Sequence, residues 1–186
     1  MKKIILIISI AIGFTSFGQE TIVENDTIIL WSKTRPLVWA DFKGKTKLAK
    51  KENGIYTGAL TAAGPVFVHQ MDKNGNMVPY PLTYFFKSLS SSISNDKLLL
   101  FHEQIHFDIA EVYTRKLRKS YMELIEDKIY ESSAYSDLSN KIAQKCAELQ
   151  SEFDKELSFS KTTQEKWRKR IDKELEELKE YEYLPE

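Results

Sequence analysis

The spacing of apolar residues changes once along this 186-residue chain, near residue 95. Before that point, from about Thr21 to Ser88, apolar residues come in short β-prone runs. Thr27-Ile28-Ile29-Leu30-Trp31 is one; Leu37-Val38-Trp39 follows Pro36, and Lys43-Gly44-Lys45 closes that segment. Val66-Phe67-Val68-His69-Gln70 and the run around Leu82-Thr83-Tyr84-Phe85 flank Asp72-Lys73-Asn74-Gly75-Asn76. Asn-Gly between two such runs predicts a hairpin, because both residues tolerate positive φ. Pro65, Pro79 and Pro81 have no N–H to give a ladder, so they are expected at strand starts or an edge.

After the polar connector Ser88–Asn95 the period becomes helical. Asn95 or Asp96 can cap a helix beginning near Lys97. Apolar or aromatic residues then recur at 98, 101, 105, 109, 112, 113, 117, 121, 124 and 125, with no Gly or Pro before about Lys128. A second helix is expected from Ser136 or Asp137 on the stripe Leu138, Ile142, Cys146, Leu149, Phe153. Thr162-Thr163-Gln164-Glu165 has the form of a capping box and opens a third, with Trp167, Ile171, Leu175 and Leu178 on one face and a charge ladder opposite. Strands followed by helices predict an α+β fold: an N-terminal, mostly antiparallel sheet (19–90), then a long helix and two further helices (95–186), all in one domain.

The first 18 residues stand outside that domain. Lys2 and Lys3, the apolar run Ile4–Phe14, and the small residues Ser16 and Gly18 before Gln19 have the layout of a cleaved secretory signal. The run is short of the roughly 20 apolar residues a membrane span needs. The expected mature chain starts near Gln19, has no membrane span, and is exported to a periplasm or the medium. Acidic and basic residues balance at 27 each, so removing Lys2 and Lys3 takes the formal charge from 0 to −2. No basic surplus points to nucleic acid. The single cysteine, Cys146, has no partner for an internal disulfide and reads as a small apolar residue of the second helix.

The candidate chemistry lies in Phe101-His102-Glu103-Gln104-Ile105-His106. Positions i and i+4 of a helix lie nearly one above the other, so His102 and His106 can both offer imidazole nitrogens to one ion at about 2.0–2.1 Å. Glu103 then points beside the ion, where it can take a proton from an activated water. The alternative is a polar cluster satisfied by hydrogen bonds. Leu98, Ile105 and Ile109 flank the histidines, so both are expected to face the sheet, where two imidazoles and a carboxylate without partners would be costly. The third ligand is open. Asp108 and Glu111 are off the histidine face, suited to partner another element or solvent. Glu123 and Asp127 lie too far down the axis, Glu123 about 25 Å from His106. His69, Asp154 and Glu156 remain as outside candidates.

Three blocks carry a resemblance: Leu37-Val38-Trp39-Ala40-Asp41-Phe42-Lys43-Gly44, then the stretch from His102 to Lys119, then Phe153-Asp154-Lys155-Glu156 followed by Gln164, Trp167 and Ile171. In this order they resemble a bacterial family of unknown function described as predicted secreted zinc-dependent proteases, over most of the chain. The resemblance implies Zn2+ held by His102 and His106, Glu103 as catalytic base, and a peptide or protein substrate. It has one departure. The family pattern around Asp154 runs Tyr-Asp-x-Glu-Thr-x-His-Gly, and its histidine would be a natural third ligand; this chain has Phe159 there. Either another group completes the site, or metal binding is weakened, or the copy is degenerate. The reading is an exported zinc-dependent hydrolase, a peptidase using metal-activated water. The alternatives are a non-catalytic envelope or binding protein on the same scaffold, and an amidase acting on cell-wall peptides.

Overall fold

The computed structural model describes residues 21–45, 58–156 and 160–185. Residues 1–18, where a signal segment is expected, and Phe159 lie outside the described residues. The fold is α+β: an antiparallel sheet in the N-terminal half, followed by three helices. Strands β1 (Ile28–Leu30), β3 (Ala63–Met71) and β4 (Met77–Phe86) form a sheet in the order β1-β4-β3, and β2 (Ala59–Leu60) pairs with β5 (Ser91–Ser92). Among the described residues no helix is long and apolar enough to cross a membrane.

The β3–β4 hairpin turns where Asn-Gly predicts it. Gly75 has φ +82°, a conformation in which a side chain would be strained. The Asp72 carboxylate accepts from the N–H groups of Asn74 and Asn76, both at 2.8 Å, and from the Tyr130 hydroxyl at 2.8 Å.

Two of the three prolines depart from expectation. Pro65 lies on the edge strand β3, but Pro79 and Pro81 sit inside the central strand. The peptide directions explain this. The Thr83 carbonyl accepts from Trp31 N–H at 2.8 Å, so odd-numbered residues of β4 turn their backbone polar groups toward the β1 side. β1 is only three residues long and ends opposite Tyr84. At positions 81 and 79 that flank has no strand to receive an N–H, and the Pro81 carbonyl is taken by Arg118 Nε at 2.8 Å.

Helix α1 (Lys97–Glu126) is capped by Asp96, which accepts from Leu98 and Leu99 N–H at 2.8 and 2.9 Å. It ends before Lys128, whose φ of 59° turns the chain. Helix α2 (Ser132–Lys155) starts four residues earlier than Ser136, and α3 (Lys161–Glu177) is capped by Ser160 accepting from Thr163 N–H at 3.2 Å, not from within Thr162–Glu165.

A second correction concerns the faces of α1. Ile105, Ile109 and Val112 pack with Leu149, Phe153, Trp167 and Ile171 of α2 and α3. It is Phe107 that meets the sheet core of Ile29, Trp31, Leu37 and Phe85. The histidine side therefore faces α2 rather than the sheet. A helix lying between two layers needs two apolar faces, and a single-stripe reading merges them.

The polar residues between those faces are buried and paired. Asp108 accepts from Trp31 Nε1 at 2.7 Å, Gln104 Nε2 at 2.9 Å and Arg168. Burial pushes its carboxyl above the ordinary range, against the pull of Arg168, Trp31 and Gln104. Glu111 accepts from Thr83 Oγ1 at 2.6 Å, Arg115 Nε at 2.8 Å and Arg118 Nη1 at 3.1 Å. Arg115 and Arg118 also hold the C-terminal segment through the Leu175 and Tyr181 carbonyls at 3.0 and 2.7 Å.

Two predictions follow from these contacts. Glu111→Ala leaves the buried Arg118 without a carboxylate and Arg115 with only Glu182 at 3.0 Å, and chemical denaturation should record a loss of about 3–5 kcal/mol. Burial alone would raise the Asp72 pKa, but the bonds from Asn76, Tyr130 and Asn74 hold it at about 2. Its folded pKa is depressed, so its contribution is complete above about pH 4 and is lost as pH falls toward 2. Asp72→Ala should cost about 1–3 kcal/mol at neutral pH, and unfolding curves of variant and wild type should converge below that window.

Candidate metal centre

His102 and His106 lie one turn apart on α1, and their Nε2 atoms are 2.9 Å from each other. Asp154, in the last turn of α2, brings Oδ1 to 2.9 Å from His106 Nε2 and 3.3 Å from His102 Nε2. Two imidazoles and one carboxylate thus converge from two helices. The rings are held by aromatic contacts. Phe153 stacks on His102 with centroids 4.3 Å apart and planes at 22°, and meets His106 edge-on at 5.0 Å. Trp167 of α3 packs against Phe153 at 5.1 Å. Gln150, one turn before Asp154, bonds His106 twice: its Oε1 to the ring Nδ1, and its Nε2 to the backbone carbonyl at 3.0 Å.

The site is enclosed on the histidine side and open on the other. The side chains of His102 and His106 are 7% and 14% exposed, that of Asp154 52%. Glu103 is buried, and its carbonyl accepts from Thr61 Oγ1 at 3.4 Å. Burial opposes a charge on His106, but the bond and charge of Asp154, the bond to Gln150 and the charge of Glu103 outweigh it and raise its pKa. For Asp154, burial would raise the pKa, and the hydrogen bonds from His102 and His106 outweigh that and carry it well below the usual carboxylate range.

The donor set fits a small divalent ion. Three corners of a tetrahedron around zinc at 2.0–2.1 Å are about 3.3–3.4 Å apart. The observed separations of 2.9, 2.9 and 3.3 Å need only a few tenths of an ångström of opening. Two nitrogens and one carboxylate oxygen are zinc-type ligands, and three protein ligands leave a fourth position for water or substrate.

The other candidates go elsewhere. Asp108 and Glu111 are locked in the buried networks described above. Glu156 accepts from Trp167 Nε1 at 2.8 Å. His69 pairs with Pro79 in the hairpin and lines a hollow with Tyr121, Tyr130 and Tyr135, toward the other end of α1. Glu123 is exposed and Asp127 caps the C-terminus of α1. Sequence reasoning kept Asp154 only as an outside candidate beside His69 and Glu156, and did not consider Gln150. A signal for both exists: Gln150 and Asp154 are spaced i, i+4 beside the apolar pair Leu149 and Phe153, as His102 and His106 are beside Ile105 and Ile109.

Compared with known protein families, curated proteins and solved structures, the chain matches none. The site is therefore read from its own geometry.

Because the three donors join two helices, a bound ion should stabilise the fold. At free zinc a hundredfold above Kd the gain is about 2.7 kcal/mol. Thermal unfolding with and without zinc should show this shift in the wild type and lose it in His102→Ala and Asp154→Ala.

Proposed function

We propose that this protein is an exported zinc-dependent hydrolase, most simply a peptidase, with His102, His106 and Asp154 holding the metal and Glu103 as general base. The observation that supports this reading is the closure of the His102–His106 pair by Asp154 from a separate helix. It answers the departure at Phe159, since a carboxylate five positions earlier in the chain can serve as third ligand.

A zinc ion supplies a Lewis acid for a substrate carbonyl and brings the pKa of a water to about 7. Glu103 follows His102 directly, and among the described residues its carboxylate takes no hydrogen bond. It is thus available to take the proton of an attacking water. The water oxygen adds to the carbonyl carbon, the C–N bond breaks, and Glu103 passes the proton to the departing amine. Asp154, half exposed, marks the side on which substrate arrives. Hydrolysis of amide bonds in cell-wall peptides would use the same groups.

One observation favours a second reading. His106 Nε2 and Asp154 Oδ1 at 2.9 Å also make a good charge-assisted hydrogen bond, so protons alone can satisfy the cluster. In that case the chain is a non-catalytic envelope or binding protein.

Purified mature protein is expected to hold about one zinc per chain. His102→Ala and His106→Ala should each lose most of it. Glu103→Gln keeps the size of the side chain and removes its basicity, so zinc should stay while hydrolysis of a peptide substrate falls by about 10²–10⁴. A wild type that binds no zinc at micromolar concentration makes the second reading the better one. Unchanged hydrolysis in Glu103→Gln would exclude the proposed base.

A further inference from the structure

Gln150 makes two bonds to one residue, and together they fix a proton. The backbone carbonyl of His106 can only accept, so the partner 3.0 Å away must be the amide NH₂ of Gln150. The amide oxygen is then the atom facing the ring at Nδ1. That oxygen can only accept, so Nδ1 must carry a hydrogen. With Nδ1–H held by Gln150, the lone pair of Nε2 is left for an ion placed between it, His102 Nε2 and Asp154 Oδ1; without an ion, Nε2 carries a proton to meet the Asp154 carboxylate at 2.9 Å.

We propose that Gln150 is a positioning residue that holds His106 in its metal-binding tautomer and orientation; this inference rests on the metal reading above. Gln150 touches neither substrate nor ion and acts only through His106. Its place on α2, one turn before Asp154, makes one helix the source of both a ligand and the restraint on a ligand from α1. Such partners of a ligating histidine are typically worth 10–100-fold in metal affinity.

The test uses the full mature chain and zinc alone. Gln150→Leu keeps the bulk and removes both bonds. Gln150→Glu keeps an oxygen acceptor for Nδ1–H and removes the NH₂. The expected result is a zinc Kd about 10–100-fold weaker in Gln150→Leu and within about threefold of wild type in Gln150→Glu. Nitrogen-15 NMR of the imidazole rings in metal-free protein carrying Asp154→Ala, which removes the competing acceptor at Nε2, at a pH where His106 is neutral should show the Nδ1–H tautomer with Gln150 present and with Gln150→Glu. A mixture is expected in Gln150→Leu. Circular dichroism should confirm that each variant folds; if Gln150→Leu does not, Gln150→Glu carries the test, and a tenfold or greater loss of affinity in it overturns the proposal. Wild-type affinity in a folded Gln150→Leu overturns the clamp and leaves the metal reading intact. A wild type that binds no zinc overturns both, while the ring spectra still report the tautomer separately.

Discussion

The register between α1 and α2 is the constraint on which the site depends. The two helices form an antiparallel pair closed by a short turn that includes Lys128 in a left-handed conformation. His102 meets Asp154, His106 meets Gln150, and Tyr121 meets Tyr135, with ring centroids of the last pair 4.7 Å apart. These are rungs of one alignment spanning five turns of helix. A slip of one residue in α2 would rotate its side chains by about 100° and carry Asp154 and Gln150 away from the histidines together. The Tyr121 hydroxyl, bonded to the Tyr135 carbonyl at 3.2 Å and Ser139 at 2.5 Å, pins the alignment at the end far from the donors.

That alignment is supported by the way α1 is embedded. With sheet on one side and α2 and α3 on the other, α1 has little freedom to roll. Asp108 ties it to Trp31 of the sheet side and Arg168 of α3, and Glu111 ties it to Thr83. Arg168 follows Trp167, which packs on Phe153, which stacks on His102. The acidic residues just after the histidines therefore hold the scaffold and take no part in the His102–His106–Asp154 trio. They fix the layers whose positions set the donor distances, the kind of support that keeps a site within a fraction of an ångström.

What the sequence discloses divides along local and non-local lines. The hairpin at Asn74-Gly75, the Asp96 cap and the extent of α1 are encoded by residues close in sequence, and periodicity reads them well. His102 and His106 belong to the same class, because i and i+4 fix their relation inside one helix. The partner of that pair belongs to the other class. Asp154 is 48 positions from His106, and its arrival depends on the turn at Lys128 and the packing of Phe153. The stripe through Ile105 and Ile109 was legible as apolar but not as to which layer it faces, since α2 and the sheet make the same demand of it. Pro79 and Pro81 show the limit from the other side: a central strand tolerates them only because β1 stops short, a fact about a neighbouring element.

The electrostatics of the trio bear on what occupies it. Two imidazole nitrogens and a carboxylate oxygen within 3.3 Å of one another would repel if each presented only lone pairs. Positive charge must sit among them, either as protons or as an ion. The Gln150 amide oxygen accepts a hydrogen bond from His106 Nδ1–H, so any further proton on that ring must go to Nε2, the very position a metal would claim. Proton and metal are then direct competitors for one set of lone pairs, and metal affinity should fall as the cluster protonates. The low pKa of Asp154 and the raised pKa of His106 express the same attraction for positive charge. A cluster built only for hydrogen bonding would need none of its nitrogens aimed at a common point. Here both Nε2 atoms and Oδ1 are, with an open side at Asp154, and this convergence is what the proposed metal centre rests on.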